Sequence, residues 1–108
     1  MKTEKMIQIL IDEKQYDKAQ TERLAPKIEA LPADIKDSLV HWIESGEVSS
    51  PEYSGYTVDK ILKAKPGMTT LAAYLALDWI RKDPKTAIKA VLTPVMKFIP
   101  NQSDKATY

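Results

Sequence analysis

The most apolar stretch of the chain runs from Thr69 to Lys82, TTLAAYLALDWIRK, and its pattern predicts a helix. At about 100° per residue the apolar side chains cover more than half of the helix circumference, whereas a surface helix needs an apolar stripe only roughly 100° wide. The pattern therefore predicts a central helix with neighbours on at least two sides and with Trp79 in the core. The apolar arc holds Ala72, Ala73, Leu75, Ala76, Leu77, Trp79 and Ile80, and the polar strip holds Tyr74, Asp78, Arg81 and Lys82.

The spacing of apolar residues in the N-terminal half predicts three further amphipathic helices. The first spans Thr3 to Lys14, where the run IQILI leaves a strand as the alternative. The second spans Tyr16 to Leu31 with an interruption near Pro26, because proline removes a backbone donor. The third spans Pro32 to Ser45 and ends at Gly46. Their apolar stripes hold Met6, Ile7, Leu10 and Ile11; Leu24, Ile28 and Leu31; and Ile35, Leu39, Trp42 and Ile43.

The C-terminal half begins with a predicted loop over residues 46–56, which is rich in Ser, Pro and Gly. Thr57 is the predicted N-cap of a short helix that ends before Pro66, and Thr69 or Thr70 caps the central helix. Asp83 and Pro84 signal a new helix start. The apolar arc of this last helix continues across Pro94, which predicts a kink there. The arc holds Ala87, Ile88, Val91, Leu92, Val95, Phe98 and Ile99.

These elements predict an all-α fold. We expect a single helical domain over residues 1–100, with five or six helices packed around the central helix at 69–82 and with Trp42 and Trp79 as core anchors. Residues 101–108 are expected to form a frayed C-terminal tail. A chain of 108 residues is long enough to bury one hydrophobic core.

Composition narrows the range of functions. The chain has no cysteine, which excludes disulfides, thiolate catalysis and cysteine-based metal sites. It shows neither a signal peptide pattern nor a stretch of roughly 20 apolar residues, so we expect a cytoplasmic protein that does not enter a membrane. Residues 1–54 carry seven basic and eleven acidic side chains, a net charge of −4, and residues 55–108 carry nine and four, a net charge of +5. The two halves either attract each other or leave a basic patch for an acidic partner. The candidates for this patch are Lys60, Lys63, Lys65, Arg81, Lys82, Lys85 and Lys89.

No constellation for catalysis is visible. The single histidine, His41, has Asp37 and Glu44 beside it at helical spacing, but a tight metal site needs a third ligand, and we interpret His41 as a solvated side chain. Asp78 lies on the polar strip with Arg81 and Lys82 within one turn, which predicts an exposed ion pair. No phosphate-binding loop, nucleophile elbow, HExxH or EF-hand motif occurs. The sequence therefore predicts no catalytic, cofactor-binding or metal-binding residue and no cofactor, and the chain is not expected to be an enzyme.

Three features suit recognition of a partner, and each also has a purely structural interpretation. Residues 57–82 have the outline of a helix-turn-helix, but the N-terminus of the second helix, TTLAA, offers no side chain suited to base recognition. Tyr53 and Tyr56 lie at the end of the long loop and either bind a ligand or cover the core. The last helix has the amphipathic pattern of membrane-surface helices, but docking onto the core, or failing that self-association, explains it better. The candidate interaction surface consists of Tyr53, Tyr56, Lys60, Lys63, Arg81, Lys82 and Lys85.

The first functional hypothesis from the sequence is a non-enzymatic protein-interaction module with a protein partner or with self-association. The alternative is a nucleic-acid-associated regulator that uses the basic C-terminal half, which would bind duplex DNA in a salt-dependent way. The third is a small carboxylate-dependent hydrolase, which needs polar side chains that converge in a cleft.

Overall fold

A computed structural model describes residues 1–92 of the chain, and these residues form seven α-helices and no strand. One core joins the helices, so the predicted all-α single globule is confirmed. The helices are α1 (Thr3–Asp12), α2 (Lys18–Arg23), α3 (Ala25–Glu29), α4 (Ala33–Ser45), α5 (Val58–Ala64), α6 (Thr70–Lys82) and α7 (Pro84–Leu92).

Several helix ends lie where the capping residues predict them. The Thr57 side chain accepts a hydrogen bond from the Lys60 amide at the start of α5, and the Thr69 side chain accepts one at the start of α6. Each satisfies a backbone donor that has no partner inside the helix. Gly46 ends α4 with φ of +81°, a left-handed conformation that glycine adopts without a steric penalty.

The segment from Tyr16 to Leu31 forms two helices, which is why seven helices are found where five or six were predicted. α2 ends at Arg23 and α3 begins at Ala25, so the chain is interrupted at Leu24. Pro26 is the second residue of α3, where its missing N–H costs no hydrogen bond. The predicted interruption near Pro26 is therefore present, and it lies two residues before the proline.

The helices pack as two groups that share α4. α1 contacts α2, α3 and α4, whereas α6 contacts α4, α5 and α7. α6 is therefore the central helix of the C-terminal group, as its apolar pattern predicts. The buried apolar side chains of both groups form one continuous cluster, which includes Met6, Leu10, Ile28, Ile35, Leu39, Trp42, Val58, Ile61, Leu71, Leu77, Ile80 and Ala87.

The buried face of α6 differs from the predicted one. Trp79, expected in the core, leaves 41% of its surface exposed, whereas Tyr74 and Asp78, expected on the polar strip, are 0% and 7% exposed. Both polar groups have partners: the Tyr74 hydroxyl lies 2.7 Å from the Ser49 carbonyl oxygen, and Asp78 pairs with cations one turn away. Burying a polar group costs little free energy when it has a hydrogen-bond or ion-pair partner. The face of α6 that carries Tyr74 and Asp78 can therefore pack against the core. The prediction of Trp79 as a core anchor is wrong.

Trp42, the other predicted core anchor, is buried on α4. Its ring meets that of Tyr16 edge-on at 6.4 Å between centroids and that of Tyr74 at 6.3 Å. The Lys14 ammonium lies 4.6 Å from the centre of the Trp42 ring, within the range of a cation–π interaction. These contacts join the segment that follows α1 to α4 and α6.

The described chain ends in α7 at Leu92. The predicted kink at Pro94, the continuation of the apolar arc to Val95, Phe98 and Ile99, and the predicted tail over 101–108 lie outside the described residues. Within residues 1–92, every helix is too short or too polar to cross a membrane.

Candidate interaction groove

An apolar groove of about 650 Å³ runs along the less buried side of α6, between α3 and α7. We call it the Trp79 groove. Its apolar lining comes from α6, from both neighbouring helices and from the turn before α6. Its polar lining is Lys27 of α3 and, toward the C-terminal end of α6, Asp78 and Lys82. The lining residues are Pro26, Lys27, Ala30, Met68, Ala72, Leu75, Ala76, Asp78, Trp79, Lys82 and Val91.

Three of the side chains that line the groove are those of alanine. Ala72 and Ala76 lie one turn apart on α6, and Ala30 follows α3, so small side chains line the groove on both of these sides. Leu75, partly buried, packs against the core, and Trp79 remains exposed. The groove therefore combines an apolar floor with a large aromatic side chain that water can reach.

A second groove, of about 730 Å³, continues the first toward the N-terminal end of α6. The two share Met68, Ala72 and Leu75. The second groove is also lined by the segment between α1 and α2, which includes Tyr16, by residues of α2 and by Leu24. α6 has 13 residues, so the combined surface extends for about 20 Å at 1.5 Å per residue. Such a length suits a polypeptide segment better than a single side chain.

At the polar end of the Trp79 groove, the negative charge of Asp78 is paired with two cations. Arg81 approaches Oδ1 of Asp78 at 3.0 Å through both Nε and Nη2, and Lys82 Nζ lies 3.1 Å from Oδ2. The predicted ion pairs are therefore present, but the prediction that they are exposed is wrong for Asp78, which is buried. Lys27 and Lys82 themselves are exposed. The groove is apolar along its length with cationic side chains at its edge.

The two tyrosines of the predicted surface are held in a tight turn. The backbone N–H and carbonyl of Tyr53 and Tyr56 pair in both directions at 2.9 Å, and Ser54 and Gly55 between them have positive φ. The Tyr53 hydroxyl donates to Asp34 at the start of α4, and this hydrogen bond raises the pKa of Tyr53. Both rings are partly buried against the core, the arrangement expected if they cover it.

The basic residues of the predicted surface have separate partners. Lys60 Nζ donates to the Gly55 carbonyl at 3.0 Å, and Lys63 Nζ lies 3.1 Å from Asp59. Arg81 belongs to the Asp78 pair. Lys85 is exposed on α7. Of the seven predicted residues, Lys82 alone lines the Trp79 groove.

Sequence reasoning missed the groove as a site. Trp79, Leu75, Ala72 and Met68 belong to it, although the first three were assigned to a fully covered arc. The available signal was the width of that arc, because an arc of more than half of the circumference needs several neighbouring helices to cover it. Pro26 and Ala30 carried no signal of their own.

His41 lies apart from the groove, on the exposed side of α4. Its Nε2 is 3.2 Å from Glu47 Oε1, and its expected neighbours Asp37 and Glu44 are also exposed. In the part of the chain that the structure describes, no three His, Asp or Glu side chains group closely enough to hold a metal ion.

The N-terminus of α6 is the part of the helix-turn-helix outline that would contact DNA. Leu71, in the first turn, is 1% exposed, and its amide donates to the Tyr16 hydroxyl at 3.3 Å. A recognition helix needs this end free to enter a DNA groove. Here the end is packed against the segment that follows α1.

Burial raises the pKa of Tyr74 above its usual 10.0, which predicts a loss of stability at high pH. Because the folded-state pKa is the higher one, the contribution is complete below pH 10 and disappears as the pH rises through the folded value. We expect the free energy of unfolding in urea to fall between pH 9 and pH 11 by more in the wild type than in Tyr74→Phe, which lacks the titrating hydroxyl. An equal fall in both proteins would contradict this assignment.

Comparison of the whole chain with known protein families, with curated proteins and with solved structures finds no match in any of the three.

Proposed function

We propose that this chain is a non-enzymatic protein-interaction module that binds its partner through the Trp79 groove. The observation that carries the proposal is the exposed indole of Trp79, 41% accessible, beside an apolar groove. Tryptophan is among the residues most enriched where binding energy concentrates in protein interfaces. An isolated exposed apolar side chain is ordinary, but one that continues into an apolar groove marks a binding surface.

The composition of the groove supports a protein ligand. Trp79, Leu75 and Met68 supply apolar area, whereas Lys27 and Lys82 lie exposed at the edge. An apolar centre with a polar rim is the usual anatomy of an interface between proteins. The length of about 20 Å along α6 matches an amphipathic helix of three to four turns laid in a groove.

The two alternatives have less support. For nucleic-acid binding, Lys60, Lys63 and Arg81 already have partners within the chain, although such surface contacts are weak enough to exchange for phosphates. For hydrolysis, Asp78 is paired with two cations, and His41 is paired with Glu47, so the two groups have separate partners. Neither arrangement favours these functions over the groove.

The experiment places a photo-crosslinking amino acid, p-benzoylphenylalanine, at position 79 of the full chain in the producing cells. The control carries it at position 63, since Lys63 is also exposed but lies on α5. We expect a discrete adduct with one other protein from position 79 and none from position 63. With that protein purified, Trp79→Ala is expected to weaken direct binding about tenfold or more, and Lys63→Ala to leave it unchanged.

Two results would count against the proposal. The first is the absence of any intermolecular adduct from position 79. The second is an adduct of equal yield from both positions, because the groove would then have no preference over the rest of the surface.

A further inference from the structure

The charged side chains around the Trp79 groove are mostly basic. α3 and residues 70–92, which include α6 and α7, carry five basic and three acidic side chains, a net charge of +2. Two of the basic side chains, Lys27 and Lys82, line the groove itself and are exposed. They belong to different helices, α3 and α6, so a ligand in the groove meets a cation from each.

The three acidic side chains already have partners in the chain. Asp78 is buried and pairs with two cations. Glu29 accepts a hydrogen bond from the Thr3 hydroxyl, and Asp83 accepts one from a backbone amide in the first turn of α7. Within residues 1–92, Lys27 forms no ion pair. The groove therefore offers positive charge to a ligand and little negative charge.

The elements that line the groove suit a helical ligand better than an extended one. An extended peptide gains affinity mainly by pairing its backbone with the edge of a sheet, and residues 1–92 form no strand that could supply this edge. A helix satisfies its own backbone groups, so it needs only side-chain contacts. The alanine side chains that line the groove are small, and larger side chains of an incoming helix can pack against them.

A second copy of this chain has the wrong charge for the groove. Among residues 1–92, Met1 and Trp79 are the large apolar side chains that remain exposed, so a second copy offers Trp79 as its main apolar contact. Packing groove against groove brings Lys27 and Lys82 of both copies together, and like charges across an interface repel. The charge pattern therefore favours a different protein as the partner.

We propose that the partner presents an amphipathic helix with acidic residues beside its apolar face, and that its carboxylates pair with Lys27 and Lys82. The inference rests on the proposed function and adds the chemistry of the partner. The apolar face of the partner helix contacts Trp79 and Leu75, which supplies most of the affinity. The cations at the edge act mainly on specificity and on the rate of association, because exposed ion pairs add little affinity.

The test uses the purified full chain and three synthetic peptides of about 15 residues, the length of helix that matches the groove. The acidic peptide has leucine at helical spacing, glutamate beside the leucine face and alanine elsewhere. The basic peptide replaces every glutamate with lysine, and the scrambled peptide keeps the acidic composition without the helical spacing. Each peptide carries fluorescein, and fluorescence anisotropy measures its dissociation constant at low and at high ionic strength.

We expect the acidic peptide to bind with a dissociation constant below about 100 μM, and the other two at least about tenfold more weakly. Trp79→Ala should weaken binding of the acidic peptide about tenfold. Lys27→Glu should weaken the acidic peptide about fivefold and strengthen the basic peptide by a similar factor, because it exchanges attraction for repulsion. The matched control Lys5→Glu reverses an exposed lysine of α1 outside the groove and should change neither. Added salt should weaken the acidic peptide.

Four results would overturn the proposal. The first is no binding of the acidic peptide at concentrations up to about 1 mM. The second is equal affinity for the acidic and the scrambled peptide, because the helical pattern would then be irrelevant. The third is an equal effect of Lys27→Glu and Lys5→Glu. The fourth is a concentration-dependent dimer that Trp79→Ala abolishes, which would assign the groove to a second copy.

The peptide test contains no cellular partner, so its failure differs from failure of the crosslinking experiment. If the acidic peptide does not bind but a discrete adduct forms from position 79, the interaction module stands and its partner has a different chemistry. If the peptide binds as expected but no adduct forms, the interaction module is rejected and only the preference of the groove for an acidic helix remains.

Discussion

Tyr74→Ala is expected to lower the free energy of unfolding by about 4 kcal/mol, the usual cost of truncating a buried aromatic side chain to alanine. The Tyr74 ring is completely buried and packs against Trp42, and its hydroxyl donates to the Ser49 carbonyl at 2.7 Å. Small domains are stable by only about 5 to 15 kcal/mol, so this variant should be strongly destabilised. Urea unfolding followed by circular dichroism measures the change.

Tyr74→Phe separates the ring from the hydroxyl. It keeps the packing and removes one hydrogen bond, which leaves the Ser49 carbonyl without this donor, so we expect a loss of about 1 kcal/mol. If Tyr74→Ala cost no more than Tyr74→Phe, the ring would not be part of the core, and the orientation of α6 described above would be wrong.

Removing both cations that hold Asp78 is expected to have the second-largest effect. Arg81→Ala/Lys82→Ala leaves a buried carboxylate without its ion pairs, which destabilises proteins by several kcal/mol when the pair is fully buried. The Arg81 and Lys82 side chains are 32% and 56% exposed, so solvent screens part of the interaction. We therefore expect a loss of about 2 kcal/mol in the free energy of unfolding, measured by urea titration at neutral pH.

Two controls isolate the buried charge. Lys18→Ala breaks an ion pair whose partners are 73% and 54% exposed, and it should change stability by no more than about 0.5 kcal/mol. Adding Asp78→Asn to the double variant removes the unpaired charge and should restore part of the loss. A double variant that is as stable as Lys18→Ala would show that Asp78 does not depend on its partners.

Tyr74→Ala and Arg81→Ala/Lys82→Ala both test the face of α6 that is buried, although the sequence predicted it to be exposed. On a helical wheel Tyr74 and Asp78 share a polar strip with Arg81 and Lys82. Asp78 lies buried because both cations are one turn away, a local pairing that the sequence contains. Tyr74 lies buried because its hydroxyl reaches Ser49, 25 residues earlier, which no local pattern contains. A wheel ranks side chains by polarity and cannot show that a polar group has a partner elsewhere.

The candidate site also depends on contacts between residues that are distant in sequence. Tyr53, Lys60, Lys63 and Arg81 were chosen because basic and aromatic residues suit recognition, yet each is engaged with another part of the chain. The groove arises where α3 and α7 fail to cover Trp79 and Leu75. Its existence depends on the distances between three helices, and only Trp79 itself stood out in the sequence.

Helix positions, their caps and the all-α class follow from interactions within a few residues. Thr57, Thr69 and Gly46 act on their own backbone neighbourhood, and apolar spacing repeats every turn. The side of α6 that faces the core, and with it the exposed indole, depends on groups distant in sequence, such as the carbonyl of Ser49. The burial of a side chain depends on all the residues that surround it in the folded chain. The tertiary structure was therefore needed to show which face of α6 is buried.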